Sequence, residues 1–285
     1  METETYSFTL GSLSCTVIRD YGTEMPMSKL VAGVAVAELA AVANKLGLEQ
    51  EAIPVDYNCL LVRTGGHTVL VDAGYGHRRP DHPGRLPAGL AATGIQPGEI
   101  DQIIITHADG DHIGGLLNEA GALAYPQARV TLWQGAWQFW QDAEALASWP
   151  EEVLSLILGT YEAIGDRLDI AGEEEEFLPG FQIMPAVGHR FDHVALRITS
   201  EGETLLHLAD AVIHPLFLER PDWASTYDFE PEQAVAVKRR LLDRAAAEGA
   251  LVFGAHFPFP GLGYVKPRGE GWRWTPLDEL ATTLT

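Results

Sequence analysis

The chain has 285 residues, 46% of them hydrophobic, with 19 Lys and Arg against 40 Asp and Glu. That length and hydrophobic share allow a sizeable core and exclude wholesale disorder. The formal charge of −21 repels phosphate backbones and argues against a nucleic-acid partner.

In chain order, Met1 to Glu4 is acidic, with neither a basic nor an apolar region of a leader, so no signal peptide is expected. Ser7–Leu10 and Leu13–Ile18 alternate around Gly11-Ser12 and predict a hairpin. A helix is expected over Ala35–Leu46, stopped by Gly47. Its Ala-rich stretch is too short to span a membrane and is interrupted by Glu38. Cys59–Arg63 and His67–Val71 predict a second hairpin through Gly65-Gly66, running into Asp72. Cys15 and Cys59 sit far apart in apolar runs and read as small buried hydrophobes. Arg85–Thr93 is a predicted helix stopped by Gly94, and Ile103–Ile105 a buried strand ending at His107. A short helix is expected to open at Gly114, followed by a strand over Val130–Trp133 and helices over Ala136–Leu146 and Glu151–Ile164. Glu173–Glu176 reads as a solvated loop.

In the second half, Phe181–Met184 is a strand leading to His189, and His193–Ile198 and Thr204–Leu208 are strands, the latter ending at Asp210. A helix is expected over Pro231–Glu248 and a strand over Leu251–Phe253 ending at His256. Tyr264-Val265 and Trp272–Trp274 are expected as edge strands. Hairpins followed by strand–helix alternation, repeated once, predict an α/β fold: two sheets face to face with helices outside, a four-layer αββα sandwich. No linker-like shift divides the chain, so one domain is expected over residues 1–285.

Five separate strand ends carry metal-competent groups: Asp72, the His107–His112 cluster, His189, Asp210 and His256. Within the cluster, His107, Asp109, Asp111 and His112 offer two imidazoles and two carboxylates, a set that suits a divalent transition metal. Gly110 is expected to permit a tight turn there. A polar loop with Asp111 as helix N-cap would account for the carboxylates but for neither histidine. Among softer candidates, His193, His214 and Tyr227 are considered for substrate contact, each against a structural alternative. His207 reads as structural, and His67, His77 and His82 as surface or loop residues. Trp133, Trp137, Phe139, Trp140 and Trp149 read as core.

The run Thr106-His107-Ala108-Asp109-Gly110-Asp111-His112-Ile113-Gly114-Gly115 resembles the T-H-x-H-x-D-H-x-G-G signature of the metallo-β-lactamase superfamily. Val69–Gly74 resembles its V-D-x-G strand end, Gly188-His189 with His193 its later G-H-x-x-x-H segment, Asp210 its bridging aspartate and His256 its final histidine. The longer flow is most similar to the methyl parathion hydrolase and lactonase branch. The resemblance implies one metal on His107, Asp109 and His189, a second on Asp111, His112 and His256, and Asp210 bridging both. Asp111 and Asp210 are then the catalytic carboxylates, and Asp72 orients a ligand from behind. Asp109 departs from the pattern, standing where the second histidine normally is.

The implied cofactor is a pair of divalent ions, Zn first, with Mn or Fe as alternatives. The implied activity is a metal-dependent hydrolase. A metal-bridging hydroxide, between ions ~3.5–4 Å apart, attacks a small ester-like substrate: a lactone, a carboxylic ester or an organophosphate. Alternatives are a thioester or phosphodiester hydrolase of the same fold, or a catalytically silent metal-binding module, which the departure at Asp109 suggests. A small-molecule substrate, a cytoplasmic location and no membrane partner are expected, with a homodimer as the assembly considered.

Overall fold

The structure is a computed structural model that describes residues 4–78, 81 and 83–277. One seven-stranded sheet takes its strands in sequence order. These are β1 (Thr5–Leu10), β2 (Leu13–Met25), β3 (Ile53–Arg63), β4 (Thr68–Val71), β5 (Gln102–Ile104), β6 (Arg129–Trp133) and β7 (Leu168–Ala171). The second sheet is also seven-stranded, in reverse order from β14 back to β8. Its strands are β8 (Glu176–Leu178), β9 (Phe181–Pro185), β10 (Val194–Ser200), β11 (Glu203–His207), β12 (Leu251–Phe253), β13 (Leu262–Arg268) and β14 (Gly271–Pro276).

Side chains alternate across each strand, and this alternation builds the layers. On β3, Leu60 and Val62 point inward and meet Phe181, Ile183, Leu196 and Phe253 of the opposite sheet. Their neighbours Cys59 and Leu61 point outward and pack under Leu86, Leu90, Ile157 and Tyr161 of the helices Leu86–Ala92 and Glu151–Ile164. On the other side, Met184, Ala195, Leu206 and Val252 face Leu39, Val42, Leu241 and Leu242 of the helices Val36–Leu46 and Pro231–Glu248. The result is the expected αββα sandwich, with both cysteines free and buried.

Several boundaries differ from expectation. The segment Ala136–Leu146 is two short helices, Gln134–Phe139 and Ala143–Leu146. The first ends at Phe139, and Asp142 starts the second, its carboxylate accepting from the Glu144 and Ala145 N–H groups as an N-cap. β7 and β8 were not expected; each is short, and Ile170 of β7 lies exposed at the sheet edge. β13 is an interior strand, with β14 alone at that edge. A short α-helix opens already at Gly110, with Asp109 and not Asp111 at its N-cap, and the short helix expected at Gly114 follows it as a 3-10 turn over Gly114–Leu116. Gly110 has neither a positive φ nor a neighbour that a Cβ would meet. The close approach falls instead at Gly115, where a Cβ would lie 2.0 Å from the Ala73 carbonyl oxygen.

β4, β5, β6 and β7 run parallel, as do β11 and β12. Their carboxyl ends therefore emerge together, where open α/β sheets gather ligand-binding loops. Asp72 follows β4, His107 follows β5, Asp210 follows β11 and His256 follows β12. The Val194 N–H donates to the Thr106 carbonyl (2.9 Å), tying the two sheets at this edge. Among the described residues, no helix is long and apolar enough to cross a membrane.

Candidate metal centre

Seven side chains converge at that edge: His107, Asp109, Asp111, His112, His189, Asp210 and His256. Their donor atoms fall into overlapping groups, each within 4.8 Å: His107 with Asp109 and His189; His107 with His112 and Asp210; Asp111 with His112 and His256. Asp109 Oδ2 stands 3.5 Å from the Nε2 of both His107 and His189. Asp111 Oδ2 stands 3.5 Å from the Nε2 of both His112 and His256. Asp210 lies between the groups, with Oδ1 3.2 Å from His112 Nε2 and Oδ2 3.1 Å from His256 Nε2 and 3.5 Å from His189 Nε2.

The far side of each ring explains the aim of the near side. His112 Nδ1 donates to Asp72 Oδ2 (2.8 Å), His256 Nδ1 to the Asp56 carbonyl (2.9 Å) and His189 Nδ1 to Asp228 Oδ1 (3.1 Å). His107 Nδ1 lies 3.1 Å from Thr106 Oγ1, whose own proton goes to Asp72 Oδ2 (2.8 Å), so the hydroxyl accepts from the ring. With Nδ1 engaged behind in all four, Nε2 is the atom each ring turns to the centre, and displacing its proton would leave a lone pair for an ion. The Nε2 atoms of His107, His112 and His189 are buried and without a hydrogen-bond partner, as is Asp210 Oδ1.

Donors sharing one ion at ~2.0–2.2 Å in a tetrahedral arrangement lie roughly 3.3–3.6 Å apart. The 3.5 Å separations suit a shared cation and are too long for good hydrogen bonds. The residues therefore fit divalent metal ions. Charge points the same way. Burial opposes ionisation of Asp210, yet His256, His112 and His107 hold it well below the usual carboxylate range. Burial would lower His112, but Asp111, Asp210 and Asp72 carry it well above its ordinary value. The same contest, with Asp109, Asp228 and Asp210 prevailing over burial, lifts His189 to about 10. A carboxylate-rich pocket of this kind demands positive charge.

The softer candidates separate. His193 is fully buried and makes no cavity wall, which corrects the substrate-contact reading. Its Nδ1 donates to the Ala186 carbonyl (2.9 Å), and its Nε2 accepts from the Asp210 N–H (3.0 Å). It thus pins the backbone of Asp210, and burial holds it well below its ordinary pKa, in the neutral form that both bonds need. His214 does not reach the cluster either. The turn Ala209–Ala211 redirects the chain, and His214 lines another cavity beside Leu46, Phe259 and Trp272, where its Nδ1 accepts from the Leu216 N–H. Tyr227 does border the cluster's cavity and is 47% exposed at its rim. His207 is buried, His67 is exposed and His77 is half-buried, none of them in the cluster, and His82 lies outside the described residues.

The cavity has a volume of about 630 Å³. Its floor is formed by Asp109, Asp111, His189, Asp210 and His256 of the cluster, and its walls include Met25, Leu30, Val55, Leu156 and Ile213, with Tyr57, Tyr75 and Arg190 adding polar groups. Sequence reading missed Asp56, Asp228 and Arg190 as supports. It also missed Asp192, whose carboxylate accepts from the Ala108 N–H (3.0 Å) and from Trp140 Nε1 (2.8 Å), bracing the cluster loop against the aromatic core. Only Arg190 and Asp192 carried a signal, lying between His189 and His193.

Known proteins resemble this chain in sequence and fold. The family described as the metallo-beta-lactamase superfamily matches residues 52–256. The structure of AidC, a dizinc quorum-quenching lactonase solved in complex with a product, is 26% identical, with a TM-score of 0.88 over 96% of this chain and 97% of its own. The hydrolase AbOPH, in the beta lactamase superfamily, is 25% identical, with a TM-score of 0.87 over 97% of this chain and 98% of its own. A probable metallo-hydrolase of Mycobacterium tuberculosis is 28% identical over 54% of this chain. The chain spans only 56% of that curated relative's length.

Proposed function

Because the chain belongs to the metallo-beta-lactamase superfamily, we propose that it is a dinuclear metal-dependent hydrolase acting on small ester-like substrates, with lactones first. The observation that carries this reading is the set of four imidazoles whose Nδ1 atoms are all engaged behind, leaving four Nε2 atoms gathered with three carboxylates at the base of one cavity, which His189, His256 and the carboxylates line. One ion falls to His107, Asp109 and His189, the other to Asp111, His112 and His256, with Asp210 between them. Zn is the first candidate, because it accepts both the four imidazoles and the carboxylates of the set. The site belongs to a single domain.

When bound, such ions supply Lewis acidity and an acidified water at neutral pH. The chain's own residues do the rest. Asp210, held at its backbone by His193, keeps the two donor groups at fixed separation. The apolar wall of Met25, Leu30, Val55 and Ile213 seats the hydrocarbon part of a substrate and excludes water from it. The Tyr227 phenol, at the rim, is in position to donate to a substrate oxygen. The lactonase AidC supports the choice of lactone among esters, since its fold covers nearly all of this chain.

The test is metal analysis of the purified protein together with a hydrolysis screen. Two equivalents of metal and turnover of lactones above aryl esters, thioesters and phosphate esters are expected. Full metal content with no turnover of any ester would favour a silent metal-binding module.

A further inference from the structure

Asp109 is, among the described residues, the one carboxylate of the cluster that also meets a guanidinium. Arg190 Nε stands 2.6 Å from Asp109 Oδ1, as an ion pair set off the line of the N–H bond. The other oxygen, Oδ2, faces the Nε2 atoms of His107 and His189 at 3.5 Å. The carboxylate is thus divided, one oxygen to the imidazoles and one to a cation. Arg190 is braced in turn: its guanidinium carbon lies 4.2 Å from the centre of the Phe229 ring, and Phe229 stacks on Trp149 at 5.4 Å. The Phe229 N–H donates to the His189 carbonyl (3.1 Å), so the segment that carries Phe229 also holds the ligand beside Arg190.

We propose that Asp109 and Arg190 work as one unit that stands in for an imidazole, offering the metal one donor atom and no net charge; this rests on the metal reading of the cluster. A free carboxylate differs from imidazole in two ways. It can bind through one oxygen or two, and it adds a negative charge. Tying Oδ1 to a guanidinium removes the second oxygen from the ion's reach, and the guanidinium cancels the charge. Asp109, Asp111 and Asp210 carry −3 together, and Arg190 returns the balance to the −2 that a histidine at position 109 would give. Arg190 is a positioning residue, acting on the ion only through Asp109.

The unit predicts an interaction that neither residue shows alone. Cobalt(II) is the probe, because its visible absorption weakens as donors are added. The second readout is the ratio of Zn to Mn taken up in competition. In Arg190→Leu, Asp109 is released to bind through both oxygens. The cobalt absorption should weaken, and the Zn:Mn ratio should fall at least tenfold. Arg190→Lys keeps the cation and should recover most of the parent's metal preference. In an Asp109→His background, Arg190→Leu should change neither readout. Circular dichroism of each variant separates misfolding from altered coordination. If Arg190→Leu matches the parent in both readouts, or has the same effect with histidine at 109, the unit does not exist. A parent that takes up no metal overturns the metal reading itself, and this proposal with it.

Discussion

The two halves of the cluster hold their histidines by different means. His112 and His256 are anchored to the first sheet, one by Asp72 at the end of β4 and the other by the Asp56 carbonyl within β3. His189 is anchored by Asp228, on the segment between the turn Ala209–Ala211 and the helix Pro231–Glu248 that also carries Tyr227 and Phe229. His107 leans on a hydroxyl, and Asp109 on Arg190. One half is built into strands, and the other depends on a loop and on a side chain facing the cavity. Metal loss and metal preference should therefore be more easily altered in the half around His107 and His189.

Asp210 belongs to both halves, so its removal should erase the distinction. Asp210→Ala is expected to lose at least one ion and to reduce hydrolysis by more than about 100-fold with the fold retained, as metal content and circular dichroism will report. Two bound ions with parental turnover would contradict its bridging role. Asp72→Ala should act next most strongly, and on the strand-built half. It removes the acceptor of His112 and of both the Thr106 N–H and hydroxyl, all buried. A 10–100-fold loss of affinity is expected at the ion of His112, with a smaller loss at that of His107, whose Thr106 partner is also released, together with about 1–3 kcal/mol of stability for the donors left unpaired. Asp228→Ala should weaken the other ion by about tenfold, with a smaller stability loss because it leaves two donors unpaired, His189 Nδ1 and the Ser225 N–H, where Asp72→Ala leaves three. If the Asp72 and Asp228 variants deplete the same ion most, the division into halves is wrong.

His214 provides a control outside both halves. Burial lowers its pKa from an ordinary 6.5 to about 4. The unfolded chain therefore binds a proton that the folded chain refuses between those values. Its contribution to stability is intact above pH 6.5 and is lost as pH falls toward 4. The full difference corresponds to on the order of 3 kcal/mol. His214→Gln should make the fall of stability between pH 6.5 and 4 less steep, with buried His193 and His207 keeping part of it, and leave metal content unchanged. An altered metal content would connect this cavity to the cluster after all.

What the sequence revealed, and what it hid, follows from where each group gets its position. Every member of the cluster follows a strand or opens a short helix, where local pattern is easiest to read. Their supports come from packing between distant segments: Asp228 is 39 residues from His189, and Asp56 is 200 residues from His256. No spacing rule joins such pairs. His214 misled because four residues suggested nearness to Asp210, while the turn Ala209–Ala211 carries the chain away. His193 misled because a histidine in a ligand-rich segment suggests a ligand, whereas both its nitrogens serve backbone groups. The sandwich was legible because inner and outer faces alternate residue by residue, as at Cys59 to Val62. The broken helix at Asp142 was not, because its apolar residues keep a helical period across the break.

A two-ion centre divided between these halves is tested most directly by anomalous diffraction from crystals grown with Zn. Two peaks are expected beside Asp210, one among His107, Asp109 and His189 and the other among Asp111, His112 and His256. A single peak, or peaks that leave Asp109 or His256 outside bonding distance, would contradict it.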